Sequence, residues 1–246
     1  MYDGQFIILL SLMSFFTAGV SAITGMGGGV LLLSVMSFFL PLEMIVPVHG
    51  VIQLVSNMTR TYILRSYIQK PFVQFFILGL PLGVFLAVSL IKEVENREGL
   101  LLIIAALIAY TLFKPKRLPN LFIPKEAFSI LGLISGFLGI FIGATGPFLA
   151  PFFLRKDLMK KQIVATKAIC QLFMHLIKIP AFISLGFVYQ DHFSLLLSCC
   201  AGAILGTKFG VQILGVLSEN SFRFLYRSIL FTAMLRLIYK GAFTLL

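Results

Sequence analysis

The sequence predicts an all-α, polytopic membrane protein built as an inverted internal repeat. Of its 246 residues, 59% are hydrophobic and only 12% are charged, whereas soluble domains are about 45–50% apolar and about 25% charged. Apolar segments near the length of about 20 residues that a helix needs to cross a bilayer recur along the chain. Each half also contains one glycine-rich break. These features exclude a large soluble domain and a disordered chain, and they predict a broken re-entrant hairpin plus three spanning helices in each half.

The first apolar segment is expected to remain in the membrane. A signal peptide begins with a basic region, but the first basic residue of this chain is Arg60. Cytoplasmic ends of membrane segments are rich in Lys and Arg. The absence of such residues near the N-terminus predicts that this end lies outside the cytoplasm.

Charged residues and Pro/Gly clusters divide the chain into ten apolar segments. These segments run approximately over residues 6–24, 30–40, 45–64, 72–91, 99–113, 127–142, 147–154, 162–188, 193–216 and 222–240. The segments 30–40 and 147–154 are too short to cross a core of about 30 Å as helices. Each of them follows a glycine-rich break, at residues 25–29 and 143–147. A long segment, a break and a short segment therefore occur once in each half.

The polar residues within the apolar segments favour an internal duplication. Adding 118 to the numbers of one set of polar residues gives the numbers of a second set. The first set is His49, Gln53, Asn57 and Arg60, and the second is Lys167, Gln171, His175 and Lys178. We therefore predict an N-terminal repeat over residues 1–115, a cytoplasmic linker over 116–126 and a C-terminal repeat over 127–246.

Loop charges predict the orientation of the two repeats. The basic loops are 65–70, 114–125 and 155–161. If each hairpin dips into the membrane and returns, all three loops lie in the cytoplasm, as the positive-inside rule requires. Each half then has three spans, and an odd number inverts the second half relative to the first. The C-terminus would lie outside despite Arg236 and Lys240. If the hairpins instead cross the bilayer, the halves are parallel and the basic loops do not share a side.

The two glycine-rich breaks predict an anion site near the middle of the membrane. Non-helical backbone is tolerated at that depth where it is buried in protein or lines a water-filled cavity. A short helix that starts there presents unpaired N–H groups and the positive end of its dipole. The candidate ligands in the breaks are Gly27, Gly28, Gly29, Gly143, Thr145, Gly146 and Pro147. The alternative is that the glycines only allow close helix packing.

The spacing of the two polar sets places each on one face of a helix. A polar face within an apolar span must contact protein or water, so Gln53, Asn57, Gln171 and His175 are candidate ligand contacts, with His49 beside them. The alternative role is hydrogen bonding between helices. Arg60 and Lys167 lie near the basic loops, where they either guide an anion or extend to the membrane surface. Lys178 lies further from its helix ends and is a candidate ligand residue.

The distribution of charge predicts that the ligand is an anion. All nine Asp and Glu residues fall at the ends of segments or in loops, whereas cation sites and proton relays within membranes normally use carboxylates. The two histidines leave proton coupling open. The three cysteines lack metal-site spacing. We therefore predict no metal site, no cofactor and no enzymatic activity.

Two stretches with the same organisation resemble the TauE/SafE sulfite exporter family. They read AGVSAITGMGGGVLLLSVM and SGFLGIFIGATGPFLAPFFL, and each precedes a helix with a polar stripe. The later stretch GAILGTKFGVQILGVLSENSFRFLYRSILFTAMLRLIY is also similar to that family. The second copy has Ala144 and Thr145 where the family more often has glycine. The resemblance implies a multi-pass carrier of the inner membrane for sulfite, sulfoacetate or other sulfonates.

Taken together, the sequence predicts a transporter for small anions that works by alternating access at a midplane site. The alternatives are an anion channel of the same fold and a scaffold protein without transport activity. The predicted partners are a small anionic substrate and the lipid bilayer, with no nucleic acid. A coupling ion, which could be the proton, and assembly as a homo-oligomer remain open.

Overall fold

The computed structural model describes residues 3–91, residues 102, 105, 106, 109, 112 and 113, and residues 123–243. The α-helices within residues 3–91 and 123–243 are α1 (Gly4–Thr24), α2 (Gly28–Met36), α3 (Leu42–Ile63), α4 (Lys70–Leu90), α5 (Phe128–Ile142), α6 (Gly146–Phe153), α7 (Lys160–Ser184), α8 (Phe193–Val216) and α9 (Glu219–Phe243). This part of the chain contains no strand. The predicted span 99–113 and the predicted loop 92–98 lie largely or wholly outside the described residues.

Nine predicted segments coincide with these helices to within a few residues. α7 ends at Ser184 rather than at 188 because Gly186, with a φ of 91°, turns the chain there. α9 begins before residue 222 because the Ser218 hydroxyl accepts a hydrogen bond of 3.0 Å from the Ser221 amide. The helical prediction is therefore confirmed for the described residues.

Five stretches are long and apolar enough to cross a membrane. They are Gly4–Thr24, Lys70–Leu90, Lys125–Ile142, Lys160–Ser184 and Tyr189–Val216. α3 has the length of a span, but its polar stripe lowers its mean hydropathy. These helices confirm the prediction of a multi-pass membrane protein.

The chain reverses direction at both glycine-rich breaks. Gly27 and Gly143 have φ values of 86° and 84°, in the region that favours glycine because it has no Cβ atom. Phe6, near the start of α1, lies 6.1 Å from Phe39, just beyond α2. Phe128, at the start of α5, lies 5.4 Å from Phe153, at the end of α6. Each short helix therefore runs back beside the long helix that precedes it.

Helices from the two halves of the chain pack against each other. α1 lies along α8, α4 lies along α5, and α3 contacts both α7 and α8. Small residues allow the backbones to approach closely, as in other membrane helix pairs. Gly202 and Gly206 of α8 face the α1 backbone at Ser11 and Phe15, and Gly79 and Gly83 of α4 face the α5 backbone at Ser129 and Leu133. The polar helices α3 and α7 are thereby held in the interior.

Hydrogen bonds from Arg155 stabilise the loop between α6 and α7. Its guanidinium donates to both carboxylate oxygens of Asp157, at 3.0 and 2.9 Å, and to the Ile123 carbonyl at 3.0 Å. The hydrogen bond from Arg155 is the main reason that the pKa of Asp157 lies below its usual value of 3.8. The stabilisation from this pair is therefore complete above pH 3.8 and is lost as the pH falls through the lower folded-state pKa.

We expect Arg155→Ala to lower the free energy of unfolding by about 1–2 kcal/mol, since charge-assisted hydrogen bonds are lost and solvent screens the exposed side of the pair. The measurement is thermal unfolding in detergent at pH 7. Lys156→Ala is the matched control because Lys156 is exposed beside it. Equal melting temperatures for the two variants would contradict this role of Arg155.

Candidate functional site

A small cavity lies where the two glycine-rich breaks meet α3 and α7. It is lined by Ser21, Met26, Gly27, Gly29, Val30, His49, Gln53, Ala144, Gly146, Pro147, Gln171 and His175. Its volume is about 10 Å³, close to the smallest space that holds one water molecule. Eight of the predicted site residues therefore come together from distant parts of the sequence. We call this space the central cavity.

One glutamine faces one glycine on each side of the central cavity. A Cβ atom placed on Gly29 would lie 3.5 Å from the side-chain carbonyl oxygen of Gln53. A Cβ atom placed on Gly146 would lie 3.4 Å from the side-chain nitrogen of Gln171. The absence of a side chain at each glycine therefore leaves room beside a carboxamide. Each carboxamide can turn either its N–H groups or its oxygen toward a ligand.

Two histidines form another wall of the central cavity. The rings of His49 and His175 lie 5.9 Å apart between centroids, in an edge-to-face arrangement. His49 Nε2 lies 2.9 Å from the Gly29 carbonyl. Because a carbonyl only accepts, Nε2 is the donor and the neutral ring keeps Nδ1 as an acceptor. The Nδ1 atoms of both rings are buried without a hydrogen-bond partner among the described residues.

Several predicted site residues lie around the central cavity but do not line it. Gly28 packs against the backbone carbonyl of Thr17, where a side chain would not fit. The Lys178 ammonium donates to the Gly143 carbonyl at 2.7 Å and so holds the second break. The Asn57 side chain donates to the backbone carbonyl of Gln53 at 2.8 Å. The Thr145 hydroxyl is buried without a partner in the described part of the chain.

Arg60 and Lys167 are both buried, and neither lines the central cavity. Their exposed fractions are 1% and 0%. A side chain that extends to the membrane surface would keep its charged group exposed. The burial of both side chains argues against extension to the membrane surface, one of the two roles that the sequence left open.

Sequence reasoning missed Arg236 of α9. This half-buried side chain donates to the carbonyl of Val30, a residue that lines the cavity, at 2.7 Å. Arg236 therefore points toward α2. Its signal in the sequence is a single arginine in an apolar segment, but that signal does not identify α2 as its partner. Ser21, Met26, Val30 and Ala144 also line the cavity without having been predicted.

The family model described as "Sulfite exporter TauE/SafE" matches residues 10–237 of this chain. The chain belongs to the TauE/SafE sulfite exporter family. The matched range contains both glycine-rich breaks, both polar stripes and every residue of the central cavity. No curated protein and no solved structure matches the chain. Membership in the TauE/SafE family indicates a membrane transporter for sulfur compounds.

Proposed function

We propose that this protein transports small sulfur oxyanions or organosulfonates, such as sulfite or sulfoacetate, across the inner membrane by alternating access. In this proposal the central cavity is the substrate site. The main support is that residues from both halves meet there, while none of the described residues that line it is Asp or Glu. A sulfonate has three acceptor oxygens, which match several neutral donors and the positive ends of helix dipoles.

The donors around the central cavity suit an oxyanion. α2 begins at Gly28 and α6 at Gly146, and the N–H groups in the first turn of a helix have no acceptor within that helix. Gln53 and Gln171 add side-chain N–H donors. Hydrogen bonds to a charged partner contribute about 1.5–3 kcal/mol each. A few such bonds offset part of the cost of removing the anion from water.

An inverted repeat with re-entrant hairpins would account for the way the helices pair. The starts of α2 and α6 are 118 residues apart, which is also the offset between the two polar stripes. The first helix of each half lies along a helix of the other half, α1 along α8 and α5 along α4. In this proposal both breaks lie at the midplane, the N-terminus is outside and the basic loops are cytoplasmic.

The small volume of the central cavity favours a carrier over an open channel. A space of about 10 Å³ holds about one water molecule, so a sulfonate requires the two halves to move apart. A carrier that closes around its substrate needs this movement. An inside-negative potential of 100 mV would favour export of each negative charge by about 2.3 kcal/mol. Saturable uptake and counterflow in proteoliposomes would support a carrier, whereas their absence would favour a channel.

We expect the double variant Gln53→Ala/Gln171→Ala to transport sulfite at least about tenfold more slowly than the wild type. The physical reason is the loss of two carboxamide donors, and a factor of ten corresponds to about 1.4 kcal/mol. The measurement is uptake of radiolabelled sulfite into proteoliposomes. The matched control is Gln74→Ala/Gln212→Ala, because these two glutamines are exposed on α4 and α8. Uptake by the double variant at the wild-type rate would contradict the proposed site.

A further inference from the structure

Arg60 and Lys167 lie on α3 and α7, and neither lines the central cavity. Arg60 comes two helical turns after Gln53 in α3, and Lys167 comes one turn before Gln171 in α7. The Gln69 amide, in the turn between α3 and α4, donates to the Thr166 hydroxyl at 3.0 Å, so the C-terminal end of α3 lies toward the N-terminal part of α7. Both cations are therefore displaced from the glutamines toward the same end of the bundle. α3 and α7 pack against each other, so the two positive charges share one end of this helix pair.

These two cations have almost no compensation from the residues described in the structure. The Lys167 ammonium and Arg60 Nε have no hydrogen-bond partner among the residues that the structure describes. One terminal nitrogen of Arg60 donates to the Ser56 hydroxyl at 3.3 Å. The Lys167 ammonium lies 5.7 Å from the centre of the Tyr226 ring. The ion pairs found in the described residues, Lys125–Glu126 and Arg155–Asp157, involve neither cation.

We propose that Arg60 and Lys167 form a second anion site, distinct from the central cavity, that binds the transported oxyanion on its way to or from that cavity. Burying an isolated charge costs several kcal/mol, and bringing two like charges together adds to that cost. A bound anion would offset both. The site also adjoins the ends of α3 and α7 that carry the basic loops 65–70 and 155–161, whose charge would concentrate anions there. This inference rests on the proposed function.

The test counts bound sulfite by equilibrium dialysis of the detergent-solubilised protein in chloride-free buffer. We expect two equivalents per wild-type chain, one equivalent for Lys167→Met, and two again for Lys167→Arg, which restores the charge. The matched control is Lys208→Met, which removes an exposed lysine of α8 and should retain two. Gln53→Ala/Gln171→Ala should retain the equivalent at Arg60 and Lys167. Two equivalents for Lys167→Met would overturn the second site.

Failure of this inference can be distinguished from failure of the proposed function. If the wild type binds one equivalent, which the glutamine variant loses and Lys167→Met retains, the second site is overturned and the central site stands. If Lys167→Met binds none, the two positions are not separate and the inference is overturned.

Thermal unfolding without added anion is a further measurement. We expect Lys167→Met to unfold at the wild-type temperature or above it, because the variant removes an uncompensated charge. A variant that fails to fold would show that the ammonium is structural and would also overturn the proposal.

Discussion

Replacing Gly29 by valine is expected to abolish sulfite transport while the protein still folds. Gly29 belongs to the first turn of α2, and a Cβ atom there would lie at ordinary contact distance from Gln53 and His49. The two methyl groups of valine would occupy a cavity of about 10 Å³. We therefore expect uptake into proteoliposomes to fall by much more than tenfold, because the substrate and the side chain need the same space.

Two further variants control for the presence of a larger side chain. Gly29→Ala adds only a Cβ atom in ordinary contact and should retain measurable uptake. Gly215→Val places the same valine on α8, where nothing lies within 4 Å of the added Cβ atom, and should behave as the wild type. Substantial transport by a well-folded Gly29→Val protein would show that the substrate does not pass through the central cavity.

Replacing Gly83 or Gly206 by valine is expected to prevent the protein from folding stably. At both positions the added Cβ atom would overlap a backbone carbonyl, that of Leu133 in α5 for Gly83 and that of Phe15 in α1 for Gly206. A backbone cannot move aside as the end of a flexible side chain can. The paired helices would have to separate, and overpacking of this kind costs about 1–3 kcal/mol or more.

The measurement is thermal unfolding in detergent together with gel filtration. We expect each variant to melt well below the wild type or to elute as an aggregate, with Gly215→Val as the control for valine in an apolar helix. Similar effects at Gly83 and Gly206 would indicate that the pairs α4–α5 and α1–α8 have equivalent roles. A variant with the wild-type melting temperature and elution volume would contradict the close packing of that pair.

The polar stripes illustrate how far periodicity alone predicts this site. Spacings of three and four residues indicated that Gln53 and Gln171 each lie on one helix face, and the structure places both at the central cavity. The same spacing also selected Asn57 and Lys178, which donate to backbone carbonyls and do not line that cavity. Spacing identifies a face of a helix, but the depth and partner of each side chain depend on the helix packed against it.

Neighbouring glycines show the same limit on what a sequence pattern can predict about this site. Gly28 and Gly29 are adjacent and equivalent as sequence letters. Gly28 packs on the α1 backbone at Thr17, while Gly29 faces the carboxamide of Gln53. The difference arises because successive residues of a helix point about 100° apart, and only the direction in which α2 folds back on α1 determines which glycine faces the cavity.

Three features of this chain are local properties of the sequence: the order of the apolar segments, the two breaks and the spacing of the polar side chains. From these features the sequence alone determined the helices, the membrane class and the two polar faces. Only the tertiary structure placed Arg236 against Val30 and Lys167 near the Tyr226 ring, and only it showed that Arg60 is buried. Each of these contacts joins residues on different helices or depends on the helices packed around it. Such contacts depend on how distant helices pack, and a pattern read along one helix carries no information about its neighbours.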